Sequence, residues 1–189
     1  MTVKYKESDK ATDHLLDFIA GGVPDNEMGE SAGNYNAVFG EIDASEPLNE
    51  MTLAQIYVMQ NEMVKENGIS SATGRYQALK ATLQGYQKSE KLPINTFFTE
   101  EVQDDFGWNK MCDRGYEAWW QEDISDDEFM HRLAMEWASL PDPANGGKSF
   151  YDGDAAGNHA STTVEAFRKA LSVARAFINE GGRPPPLVA

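Results

Sequence analysis

The sequence predicts a mainly α-helical single domain with one small hairpin or loop insertion near residues 34–50, and three observations predict it. Apolar residues recur at three- and four-residue spacing through most segments between residues 12 and 178. Hydroxyl side chains stand before several of these segments, at Thr52, Thr99, Ser125 and Thr163, where each can accept from the free N–H groups of a first helical turn. The stretch 34–48 breaks that rhythm: it is rich in Gly, Asn, Asp and Pro around a short Ala37-Val38-Phe39 run. A chain of 189 residues is long enough for one domain with a real core and too short for two substantial ones. The domain is expected over 1–182, with a Pro-rich tail over 183–189 that proline keeps from being helical.

Taken in order, Leu15, Leu16, Phe18 and Ile19 form one face of a first helix over 12–20, which Gly21-Gly22 stops. Thr52 with Gln55 three residues on is a capping box for a helix carrying Leu53, Ile56, Tyr57, Met59 and Met63 towards Gly68. A third helix is expected to start between Thr73 and Tyr76 and to run through Leu79 and Leu83 to about Lys88, before the break at Pro93. Thr99 and the two glutamates after it open a segment with Val102, Phe106 and Trp108, which a second segment, 109–120, continues. Ser125 and the acidic first turn after it open a helix expected to reach Leu140, where Pro141 ends it. The glycine-rich stretch 142–161 is a long loop, and loops of that length inside a domain usually carry function. A last helix runs from Thr162 or Thr163 through Phe167, Leu171, Ala174 and Phe177 to Gly181.

Composition narrows the function classes. A net charge of −15 argues against nucleic acid as a partner, since that binding depends on Lys and Arg neutralising phosphates. No stretch approaches the roughly 20 apolar residues of a membrane span, and the N-terminus lacks the apolar region of an export signal. Cys112 is the only cysteine, so an intramolecular disulfide is excluded and a reducing cytoplasm suits synthesis. With three scattered histidines it makes no metal site, and no cofactor is expected.

Two short segments carry residues suited to chemistry. Glu30 lies in Gly29-Glu30-Ser31-Ala32-Gly33, where small neighbours would let a bulky substrate reach the carboxyl; read by type alone it is one of 31 acidic residues. Ser70-Ser71-Ala72-Thr73-Gly74-Arg75-Tyr76-Gln77 brings hydroxyls, an arginine, an aromatic and an amide to an expected helix start, which suits either a polar ligand or an ordinary N-cap. Trp119, Trp120 and Trp137 fall at apolar spacing and read as core, and the run 122–128 reads as helix-start charge, since it lacks the ligand spacing of a calcium loop.

Glu30-Ser31 resembles the Glu-Ser motif of lytic transglycosylases with a goose-type lysozyme-like fold, and Gly74-Arg75-Tyr76-Gln77 resembles their Gly-x-x-Gln motif. Further similarity to the phage lambda endolysin-like family lies at Asn34-Tyr35-Asn36-Ala37-Val38-Phe39-Gly40, at Trp137-Ala138-Ser139-Leu140-Pro141 and at Lys148-Ser149-Phe150-Tyr151-Asp152-Gly153-Asp154. The matches stand in family order over roughly residues 28–170. The resemblance implies an α+β lysozyme-like fold and a lytic transglycosylase that cleaves peptidoglycan glycan strands between N-acetylmuramic acid and N-acetylglucosamine with formation of a 1,6-anhydro sugar, Glu30 being the general acid and base. It implies substrate contacts at Ser31, Tyr35, Tyr76, Gln77 and Tyr151, the last without the family's Ala-Tyr-Asn wording. It also implies a phage-encoded enzyme made in the host cytoplasm and acting on the cell wall.

Two alternatives stay open. A hydrolytic muramidase of the same fold needs a second carboxylate about 5–9.5 Å from the first. The aspartate of two-carboxylate phage lysozymes, about nine residues after their glutamate, aligns here with Phe39, which leaves Glu41 or Asp43 for that role. The acidic balance and the Pro-rich tail suit a virion component that binds glycan or docks on other virion proteins with little catalysis.

Overall fold

In the computed structural model, residues 10–40, 44 and 46–180 are described. The apolar stripe of the first segment becomes α1, Lys10–Ala20, whose Leu15, Leu16, Phe18 and Ile19 are buried. Its partner is the last helix, α7 (Val164–Asn179), which lies against it along the core. The Phe18 and Phe167 rings stack at a centroid separation of 5.2 Å. Between them run α2 (Leu53–Asn67), α3 (Lys80–Ser89), α4 (Glu100–Asp113), α5 (Tyr116–Trp120) and α6 (Asp126–Ala134). The architecture is mainly helical, with isolated β-bridges and no strand ladder among the described residues.

Local capping accounts for most helix starts. The Thr52 hydroxyl accepts from Gln55 N–H while the Gln55 side chain reaches back to Thr52, a complete capping box for α2. Thr99, Ser125 and Thr163 each accept from the backbone N–H three residues on, opening α4, α6 and α7. Trp119 and Trp137 lie in the core, and Trp119 stacks on Phe129 at 5.0 Å.

The structure departs from expectation in four places. The third helix begins at Lys80, because Thr73 bridges to both Val38 and Ala78 and so cannot start a helix. Its first N–H is capped from a distance, by the Ser71 hydroxyl at 3.0 Å. The segment around Trp108 is continuous in α4, and the chain breaks at Arg114-Gly115 instead. The helix opened by Ser125 ends at Ala134, leaving 135–140 as irregular turns. Finally, the short run 37–39 pairs across the chain instead of folding on itself: Phe39 N–H donates to Ala72 O at 3.0 Å and Gly74 N–H to Ala37 O at 2.7 Å. Residues 41–43 and 45 of the expected hairpin, Glu41 and Asp43 among them, lie outside the described residues, as does the Pro-rich tail.

Candidate functional site

The loop after α1 is drawn against the end of that helix. Glu30 N–H donates to Ile19 O at 3.1 Å and Ser31 N–H to Ala20 O at 2.9 Å. The backbones at Gly21 and Gly29 come so close that a Cβ on Gly29 would stand 2.3 Å from Gly21 N, so a side chain is excluded there. Buried Asn26 clamps the loop from inside, donating to Phe18 O at 2.8 Å and accepting from Gly29 N–H at 3.1 Å. This packing holds the residue after Gly29 in one place, and that residue is Glu30.

Glu30 opens into a groove of about 810 Å³, large enough for several sugar rings. Phe39, Ile69 and Leu79 line part of it with apolar surface, Gln77 contributes an amide, and the turns after α6 with the 142–161 loop supply the rest. Glu30 itself is partly buried, and Ser139 N–H donates to its Oε1 at 2.9 Å. Burial raises the Glu30 pKa above the ordinary carboxyl value; hydrogen bonding to Ser139 opposes this in part, and the charge of Glu136 adds to the rise. A carboxyl so placed keeps its proton to higher pH than an exposed one, which is what a general acid needs.

The early end of α6 makes this contact possible. In a continued helix Ser139 N–H would donate to Met135 O, four residues back. In the unwound turn these two groups go to different partners: Ser139 N–H to Glu30, and Met135 O to the Tyr151 hydroxyl at 2.7 Å. The turn is tied to its neighbours twice more. Ser161 N–H donates to Ser139 O at 2.8 Å, and the Ser161 hydroxyl donates to Asn26 Oδ1 at 2.8 Å, joining the 142–161 loop to the loop that carries Glu30.

The structure brings three of the six expected site residues into the groove: Glu30, Gln77 and Tyr151. The Gln77 amide is engaged with its own turn, donating to Gly74 O at 2.9 Å. Ser31, Tyr35 and Tyr76 do not line the groove, because their polar atoms are committed elsewhere. The Ser31 hydroxyl donates to Arg75 O at 2.8 Å. The Tyr35 and Tyr76 hydroxyls each donate to Asp104, both at 2.9 Å, and Tyr76 is buried. Arg75 sits among them, pairing with Asp104 at 3.0 Å and Asp17 at 2.5 Å and lying over the Tyr35 ring at 4.8 Å. Burial pushes the Tyr35 and Tyr76 hydroxyls well above their ordinary range, so both stay protonated as donors. The Arg-Tyr pair of the second motif thus braces α1, α4 and the Glu30 loop, while the glutamine beside it faces the groove.

Two groove residues escaped the sequence reading. Ser139 falls in the Trp137-Ala138-Ser139-Leu140-Pro141 segment, but its role is invisible there, since only an unwound turn frees its N–H. Glu136 was one of many acidic residues, and nothing local distinguishes it. Among the described residues no group of three or more His, Cys, Asp or Glu side chains is arranged to hold a metal ion, and no helix is long and apolar enough to cross a membrane. Comparisons with models of protein families, with curated proteins and with solved structures return no match.

Proposed function

We propose that the groove binds a peptidoglycan glycan strand and that Glu30 is the general acid and base of a lytic transglycosylase. The observation that carries the reading is a partly buried glutamate in a groove, its pKa raised by burial and its carboxyl oriented by a backbone N–H. The resemblance of Glu30-Ser31 and Gly74-Arg75-Tyr76-Gln77 to the lytic transglycosylase motifs supports the same assignment. In this mechanism the Glu30 carboxyl gives its proton to the oxygen bridging N-acetylmuramic acid and N-acetylglucosamine. The anomeric C–O bond breaks with its electron pair on that oxygen. The muramic C6 hydroxyl then attacks the anomeric carbon and its proton returns to Glu30, so a 1,6-anhydro ring forms and no water is consumed. Gln77 and Tyr151, which line the groove, are the residues of the expected set proposed to contact sugar.

The deciding experiment is mass spectrometry of soluble products from purified peptidoglycan treated with the wild type and with Glu30→Gln. Anhydro products, about 18 Da lighter than reducing ones by the loss of one water, are expected from the wild type. Glu30→Gln is expected to lower the rate by at least about 10³. Reducing ends would move the assignment to a muramidase. Absence of both products, where a control lysozyme works, would leave a glycan-binding virion component as the reading.

A further inference from the structure

We propose that Glu136, ion-paired to Arg114 beside Glu30, is the residue of this groove that stabilises positive charge at the anomeric carbon as the glycosidic bond breaks. The inference rests on the reading of the groove as a glycosidase site, and it applies equally to anhydro and reducing products because both pass through that cationic sugar.

Three observations carry it. First, Glu136 lines the same groove as Glu30, on the turn that supplies the Ser139 N–H. Secondly, Arg114, at the end of α4, holds it from behind: Nε and Nη2 both donate to Glu136 Oε2, at 2.9 and 2.7 Å. This paired grip fixes the carboxylate, and the hydrogen bonds described for Glu136 use Oε2 alone. Arg114 Nη2 also reaches Met135 O at 3.4 Å, so the unwound turn is pinned where the charge is needed. Thirdly, among the described residues the groove is lined by three carboxylates, Glu30, Glu136 and Asp154, and by neither Lys nor Arg. Glu136 is partly buried and carries its charge before Glu30 gives up its proton, whereas Asp154 is exposed. A preorganised negative charge in a site shielded from water is worth most where charge develops in the transition state.

Among the described residues the remaining titratable groups lining the groove are Tyr151, Asp154 and His159, all on the 142–161 loop. Replacing Glu136 leaves them in place, so its effect can be read separately. Glu136→Gln retains an acceptor for Arg114 and removes the charge. Its kcat is expected to fall at least about tenfold with KM little changed, the pattern of an interaction made in the transition state. The alkaline limb of its pH profile is expected to move to lower pH, because the like charge that helps Glu30 keep its proton is gone. Loss of a salt bridge that only braces the turn would disturb KM together with kcat, whereas the limb reports the removed charge alone. A folded Glu136→Gln with kcat within about twofold of wild type would overturn the proposal.

Should Glu136→Gln not fold, the wild type answers by calorimetry. A chitooligosaccharide ending in a cationic iminosugar is compared with its neutral parent on the acid side of the Glu30 titration, where burial holds its proton. The cationic ligand is expected to bind at least tenfold more tightly, and equal affinity would refute the role of Glu136. A wild type that releases no product from peptidoglycan defeats the functional reading, whereas the binding comparison still tests the charge.

Discussion

Glu30 is acted on from two sides: Ser139 N–H stabilises its ionised form, while burial and Glu136 disfavour that form, and the balance raises its pKa. A group raised in the folded state adds stability below its unfolded pKa and loses that contribution as pH rises through the folded value. Glu30→Gln, which never ionises, is therefore expected to match wild type in Tm near about pH 4 and to exceed it near about pH 8, by roughly 2–4 °C for each kcal/mol relieved. Calorimetric scans at the two pH values check this, and a variant less stable at the higher pH would contradict the assignment of burial as the dominant cause. At this scale the sequence was informative where a family resemblance singles out a residue that lines the groove, as at Glu30. It was silent where a role comes from a distant partner. Tyr35, Tyr76 and Arg75 have the right types for a sugar site, yet Asp104 and Asp17, far along the chain, draw them into a brace.

Elements show the same division. Helix starts written in adjacent residues, such as Thr52 with Gln55, form as the spacing predicts. The start of α3 does not, because Thr73 pairs with Val38 and the cap comes from Ser71. The junction of α1 with the Glu30 loop is the element on which the site depends, and two glycine substitutions test it. Gly29→Ala places a Cβ 2.3 Å from the Gly21 backbone nitrogen, a contact only backbone movement can relieve. It is expected to cost about 2–4 kcal/mol in urea unfolding and to displace Glu30. Gly85→Ala, in α3 with nothing within 4 Å of the new Cβ, is expected to add roughly 0.5–1 kcal/mol. Equal effects at the two positions would mean that the close approach at Gly29 is not a constraint.

At the scale of the whole molecule, the net charge of −15 would, on the proposed function, oppose approach to a wall whose stem peptides carry carboxylates. Raising salt from about 10 to about 150 mM shortens the screening length from roughly 30 to 8 Å. The rate of release from sacculi is accordingly expected to rise severalfold over that range, and a turbidity assay that shows it falling would point to attraction instead. The sequence by itself determined a helical domain, most of its capped helix starts and the candidacy of Glu30, because each depends on residues within a turn or two of one another. Only the tertiary structure decided that α6 stops early, that Ser139 and Glu136 come to Glu30, and that three of the five expected contact residues turn away. Those outcomes depend on which buried donors and charges meet across more than a hundred residues, as Ser139 and Glu30 do, and folding selects such partners by satisfying groups that local spacing leaves open.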